Sequence, residues 1–137
     1  FIMKVILDCN IWISFLLSRQ ECLLRRMLMD TRFDIYICEE LLAEIVNVAR
    51  RDKIRKRVSE AELQQLLKII DAFCEKTTIE HIAESIIRDP KDLYLLSLAE
   101  TIDADYIVSG DKDLTDLNQH FKTRIIKLVD FKLMMGF

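Results

Sequence analysis

The chain has 137 residues, about half hydrophobic (51%) and nearly a third charged (31%), with two glycines and one proline. That balance excludes collagen-like, low-complexity and disordered chains, and fits a single ordered, helix-rich domain over residues 1–137. The formal net charge of -3 argues against a protein that coats nucleic acid generally, which needs excess Lys and Arg to displace counterions, but it leaves room for a local basic patch.

In chain order, Lys4-Val5-Ile6-Leu7 is a short apolar run ending at Asp8, the pattern of a buried parallel strand that delivers a carboxylate at its C-terminal edge. Apolar residues from Ile11 to Leu17 and helical spacing from Glu21 to Met29 predict two consecutive helices. Phe33–Ile37 alternates as a strand, and Glu39 to about Arg50 places Leu41, Leu42, Ile45, Val46 and Ala49 on one helical face. Ser59 with Glu62 forms a capping-box pattern before Leu63, Leu66, Leu67, Ile70 and Phe73, and Thr77-Thr78-Ile79 reads as a brief third strand. Pro90 suits the start of a helix over about Lys91–Thr101. Tyr106–Val108 is a buried strand leading into the turn Ser109-Gly110-Asp111, and Asp113–Leu117 a short helical turn. Ile125–Leu128 reads as one more strand and Asp130–Met134 as a last short helix. Strands alternating with helices predict a three-layer α/β/α sandwich with a mainly parallel central sheet.

No apolar run approaches the roughly 18 to 20 residues of a membrane span, and the opening FIMKVILDCNIW meets Asp8 too soon for a secretory signal. The expected location is the cytoplasm, away from any membrane. Phe1 and Ile2 precede Met3, which reads as the natural start, so the two are set aside from the functional argument. Cys9, Cys22, Cys38 and Cys74 show no paired spacing and are expected to be buried free thiols rather than zinc ligands.

Ligands of open α/β sheets bind beyond the carboxyl ends of the strands. That rule selects Asp8 and Asp111, which follow strands, together with Glu44 and Asp92, in the early turns of helices. Each stands among apolar residues, and clustered carboxylates without Lys or Arg partners take up protons or a cation. Hard divalent ions such as magnesium or manganese match such oxygens. Any one of these acids alone reads more simply as a helix cap or a solvated charge. The conjunction carries the case.

LDCNIWIS, EELLAEI, DPKDLYLLSLA and DYIVSGDKDL, in this order and across almost the whole chain, resemble the PIN domain family, particularly its bacterial toxin-like, VapC-type members. The resemblance implies that Asp8, Glu44, Asp92 and Asp111 are both catalytic and metal-binding, with Asn10, Asp89, Ser109 and Asp113 in support. Cys9 stands where Thr is common, and Ser109 replaces a commoner Thr. The implied activity is Mg2+- or Mn2+-dependent hydrolysis of RNA phosphodiester bonds, with one or two ions. The implied setting is a homodimer that forms the toxin half of a pair with a small antitoxin protein. Alternatives are a PIN nuclease in RNA processing or on structured DNA, and a non-catalytic domain that binds RNA or protein. A phosphotransferase with Asp8 as nucleophile is disfavoured because Asn10 stands where a second Asp is wanted. On this reading Asp8→Asn abolishes cleavage and leaves the fold intact.

Arg50, Arg51, Lys53, Arg55, Lys56 and Arg57 form the strongest basic segment and are candidates for guiding RNA phosphates, with a solvated helix end as the bland alternative. Trp12, Phe15 and Leu16 are expected in the core rather than stacked on bases, and His81 and His120 at the surface or in local hydrogen bonds. The apolar helices around Leu23–Met29 and Leu63–Phe73 are candidate faces for a dimer or an antitoxin.

Overall fold

A computed structural model describes all residues, Phe1–Phe137. The elements run β1 (Met3–Leu7), α1 (Cys9–Ser18), α2 (Glu21–Leu28), β2 (Phe33–Ile37), α3 (Glu39–Ala49), α4 (Asp52–Arg55), α5 (Glu60–Phe73), β3 (Glu75–Lys76), α6 (Pro90–Ile102), β4 (Tyr106–Val108), α7 (Lys112–Leu117), β5 (Gln119–His120), β6 (Thr123–Ile126) and α8 (Leu128–Met135). They build the expected sandwich around a six-stranded sheet of order β3-β2-β1-β4-β6-β5. Every pairing is parallel except the β5–β6 hairpin at one edge.

The sheet core is made by Val5, Ile6 and Leu7 of β1 beside Ile107 and Val108 of β4, all fully buried. Strands covered on both faces lose the usual apolar and polar alternation, which is why these short runs are continuously apolar. Met3 pairs with Phe33 and Val5 with Tyr106, so Phe33 and Tyr106 share a face. Phe131 of α8 packs edge-on against both, at 5.3 and 6.5 Å between ring centroids.

The chain winds from β1 outward to β2 and β3, then returns through α6 to place β4 on the other side of β1. The order therefore reverses between β1 and β4, the position where crossovers diverge and leave a crevice beyond the strand ends.

Local chemistry sets the helix starts. Ser59 Oγ accepts from the Glu62 amide at 3.1 Å and Glu62 Oε1 accepts from the Ser59 amide at 3.2 Å, so the capping box of α5 is complete. Asp89 caps α6 ahead of Pro90 at its first position, accepting from the Lys91 amide at 3.0 Å. With glycine so scarce, α1 and α6 end on left-handed Arg19 and Asp103, and only α8 ends on a glycine, Gly136. Ser59→Ala removes an acceptor for an orphan amide and is expected to lower stability by about 1 kcal/mol. A shift of the urea midpoint with an unchanged slope would record it.

The structure corrects several boundaries. The third strand is Glu75–Lys76 rather than Thr77–Ile79, because α5 ends at Phe73 and the chain meets the open edge of β2 at once, pairing Glu75 with Tyr36 and Lys76 with Ile37. β6 is Thr123–Ile126 rather than Ile125–Leu128, since β4 offers partners only through Val108, opposite Ile126, and Leu128 already begins α8. α4 and β5 carry no periodic signal and were not expected. Cys9 and Cys38 are buried free thiols as expected and Cys74 is partly covered, but Cys22 is exposed, on the outer side of α2. No helix is long and apolar enough to cross a membrane.

Candidate active site

Asp8 leaves the end of β1 and caps α1, with only 5% of its surface exposed. Its Oδ1 accepts from the Cys9 amide at 2.6 Å, while Oδ2 accepts from Asn10 Nδ2 at 3.0 Å and Ser109 Oγ at 2.6 Å. Burial raises its pKa above the ordinary carboxylate value, as do the charges of Glu44 and Asp111, against the lowering effect of the Ser109 and Cys9 hydrogen bonds. These donors fix the carboxylate in one orientation.

Ser109 and Asn10 also tie the two strand ends together. Ser109 Oγ accepts from the Asp111 amide at 2.9 Å, and Asn10 Oδ1 accepts from the Gly110 amide at 3.1 Å. The turn after β4 is thereby locked to the turn after β1, across the point where strand order reverses. Asp111 caps α7 by accepting from the Asp113 amide at 2.9 Å. The N-termini of α1, α6 and α7 all carry acidic caps at this edge, and a helix N-terminus favours negative charge.

Asp92, in the first turn of α6, is 4% exposed and has no hydrogen-bond donor from the protein other than a neighbouring acid. Burial first, then the hydrogen bond and charge of Asp111, then the charges of Asp89 and Asp8, push its pKa up to about 7. Carboxylate oxygens of Asp92, Asp111 and Asp113 lie within 4.8 Å of one another. Asp113, expected only in support, thus stands in the tightest acidic group.

Glu44, half-buried on α3, faces the same center from the other side, and Tyr94 Oη donates to its Oε1 at 2.5 Å. Burial and Glu44 together raise the Tyr94 phenol far above its ordinary pKa, so it remains a donor at all working pH values. Burial also raises the Cys9 thiol, with Glu44 and Asp8 adding to the shift, which keeps the sulfur protonated and uncharged. None of Asp8, Glu44, Asp89, Asp92, Asp111 or Asp113 forms a salt bridge. Tyr94 is the residue that sequence reasoning missed; its one signal is a phenol in an otherwise apolar stretch, two positions after Asp92. A buried phenol needs a partner, and here the partner is an acid.

The basic segment behaves differently from the acids. Arg50 and Arg55 both pair with Glu60, at 2.6 and 2.7 Å. Lys53, Lys56 and Arg57 are exposed without carboxylate partners, and Arg51 is the member whose charge is felt at Cys9. Trp12, Phe15 and Leu16 are buried in the core. His81 and His120 point their Nε2 atoms at the two oxygens of Glu100, at 2.8 and 2.7 Å. Burial works to raise the Glu100 pKa, but the two imidazoles outweigh it and hold the carboxyl below its ordinary value.

A cleft of about 600 Å3 opens beside Asp92 and Asp113, between the Ile86–Asp89 segment and α7. A separate apolar groove of about 430 Å3 lies among α1, α2 and α5, lined by Phe15, Leu16, Leu24 and Leu66, with none of the acids in its wall.

A family profile described as PIN domain matches residues 4–113. Among solved structures, the chain is similar to one from a crystal structure of VapBC2 from Rickettsia felis bound to a DNA fragment from their promoter. The TM-score is 0.55 at 15% identity, covering 90% of this chain and 97% of that one, which is a likeness of fold. Comparison with curated proteins returns no match. The family match spans β1 through the start of α7 and so contains each of the acids gathered at the strand ends; the chain belongs to the PIN domain family.

Proposed function

We propose that this chain is a divalent-cation-dependent endoribonuclease and the toxin of a toxin–antitoxin pair. The observation that carries the reading is a set of carboxylates from four separate segments, without basic partners, at the reversal point of a PIN fold, one of them raised to a pKa of about 7. Such charge repulsion is stable at neutral pH only with protons or a cation in place.

The donor set fits Mg2+ or Mn2+. It offers carboxylate oxygens and no imidazole, and the one nearby thiol is kept protonated. In this reading Asp92, Asp111 and Asp113 would hold the cation, with the Asp8 carboxylate adding negative charge beside them. A divalent cation bound there supplies Lewis-acid activation of water and neutralises the charge that develops on phosphate oxygens. Glu44, held by the hydrogen bond from Tyr94, would serve in this reading as the proton acceptor for water. Asn10 and Ser109 keep the two strand ends in register, so that the acids are set before substrate arrives.

The antitoxin partner is supported by the fold likeness to a protein solved in a VapBC2 assembly and by the apolar groove among α1, α2 and α5. Exposed Val129 and Leu133, one turn apart on α8, support a homodimer. Four free cysteines suit the reducing cytoplasm, where we place the protein.

The test is incubation of the purified full chain with single-stranded RNA, structured RNA and DNA, in Mg2+, in Mn2+ and in chelator. Internal cleavage of RNA that requires the metal is the expected result. Preferential cleavage of DNA would move the protein to the other branch of nuclease function, and metal-independent binding without cleavage would make it a binding domain.

A further inference from the structure

We propose that the cleft between the Ile86–Asp89 segment and α7 seats the nucleotide next to the scissile phosphate, Arg88 taking its phosphate and Ile86 its base. The inference rests on the nuclease reading above and adds the residues that seat the substrate.

The cleft shares Asp92 and Asp113 with the acidic cluster, so a strand lying in it runs directly into the proposed metal site. Its volume of about 600 Å3 falls in the range of sites that enclose a small organic ligand. Its charge balance is hostile to RNA except at one point. Asp89, Asp92, Asp113 and Asp116 line it, and Arg88 is the only cation in its wall. A phosphodiester entering beside four carboxylates needs a fixed positive group, and Arg88 is the one available.

Arg88 is also free for that role. It forms no salt bridge despite its acidic surroundings, whereas Asp116 is engaged by Lys112 at 2.9 Å and Asp89 Oδ1 by the Lys91 amide. Its Nη1 donates to the Ser85 carbonyl at 2.7 Å, which positions the guanidinium and leaves its other N–H groups for phosphate oxygens. Beside it Ile86 is 86% exposed, an aliphatic side chain left in water at the lip of the cleft. A nucleobase face covers such a surface, but only an unpaired strand can turn a base toward it, because duplex bases are stacked away from the protein.

The experiment uses the full chain, a short unstructured RNA oligonucleotide and the matching RNA duplex, with steady-state cleavage and fluorescence anisotropy at several salt concentrations. Arg88→Gln is expected to weaken single-strand binding about tenfold and to lower the slope of log affinity against log salt by about one. Arg88→Lys restores part of the affinity, since it returns the charge without the planar fork. Ile86→Ser raises KM severalfold and leaves kcat in place. Loss in Arg88→Gln without a change of salt slope or any rescue by lysine would mean a loop-packing role and overturn the proposal. Wild-type cleavage with both Arg88→Gln and Ile86→Ser unchanged within twofold would do the same, as would duplex bound as tightly as single strand. A wild-type chain that neither binds nor cuts any RNA overturns the nuclease reading itself, and the seat with it.

Discussion

Asp92→Asn is expected to lower metal-dependent RNA cleavage by about a hundredfold to a thousandfold, as for loss of a central electrostatic group, and at the same time to stabilise the metal-free protein at neutral pH. The two effects share a cause. Asp92 is buried beside Asp111 and lacks a donor, so its carboxylate is costly to ionise and its pKa stands at about 7 against an ordinary 3.8. The folded chain therefore holds a proton over a window in which the unfolded chain has lost it. Below pH 4 both states are protonated and the residue contributes nothing. From about pH 4 to 7 stability falls as pH rises, and above about 7 both states are ionised and the full penalty is present.

Thermal unfolding of the metal-free wild type across this window should thus show a decline that Asp92→Asn flattens, with a difference of several degrees at pH 8. Added Mg2+ or Mn2+ should raise the wild-type midpoint at pH 8 by binding the folded state alone, and do little for the variant. A variant that cleaves RNA normally, or one whose melting profile keeps the wild-type decline, would remove Asp92 from the cluster's chemistry. Asp8→Asn is a poorer probe than its place in the sequence suggested. Asp8 accepts three hydrogen bonds, two of them from donors that fix the strand ends, and an amide cannot satisfy them all.

Trp12→Ala should cost about 3 to 5 kcal/mol of stability, the range for removing a large buried aromatic. Trp12 is fully buried in α1, and its Nε1 donates to the Leu7 carbonyl at 3.1 Å, immediately before Asp8. The truncation opens a cavity under the site and leaves that carbonyl without its partner. Chemical denaturation should show the loss in the midpoint, and cleavage should fall at temperatures where the wild type is fully folded, because the end of β1 is no longer held. A side chain used for stacking on bases would behave in the opposite way, weakening RNA binding and sparing stability.

The placement of the acids at the strand ends was legible in the chain because each is a local event. Asp8 and Asp111 follow apolar runs, Asp92 follows a proline-started helix, and Glu44 sits in an amphipathic helix. The roles inside the cluster were not. Asp113 looks like a bystander in sequence, yet the turn of α7 brings it within 4.8 Å of Asp92 and Asp111. Tyr94 is separated from Glu44 by fifty positions and meets it only because α6 packs back toward α3. The cation Arg88 lies outside the conspicuous basic run, while two members of that run, Arg50 and Arg55, are spent on Glu60.

The boundaries misread in sequence share another cause. Short edge strands such as β3 and β5 have little apolar pattern of their own and exist because a neighboring strand offers unpaired backbone groups. What the amino-acid order determined alone is the alternation of strands and helices, the caps, and which carboxylates stand at strand ends, since periodicity and side-chain-to-backbone bonding act over a few residues. What only the tertiary structure decided is the register that places β4 against β1, and with it the distances among the acids. The raised pKa values of Asp8 and Asp92 arise from burial and from the charges of the neighbouring acids, which depend on three-dimensional separation.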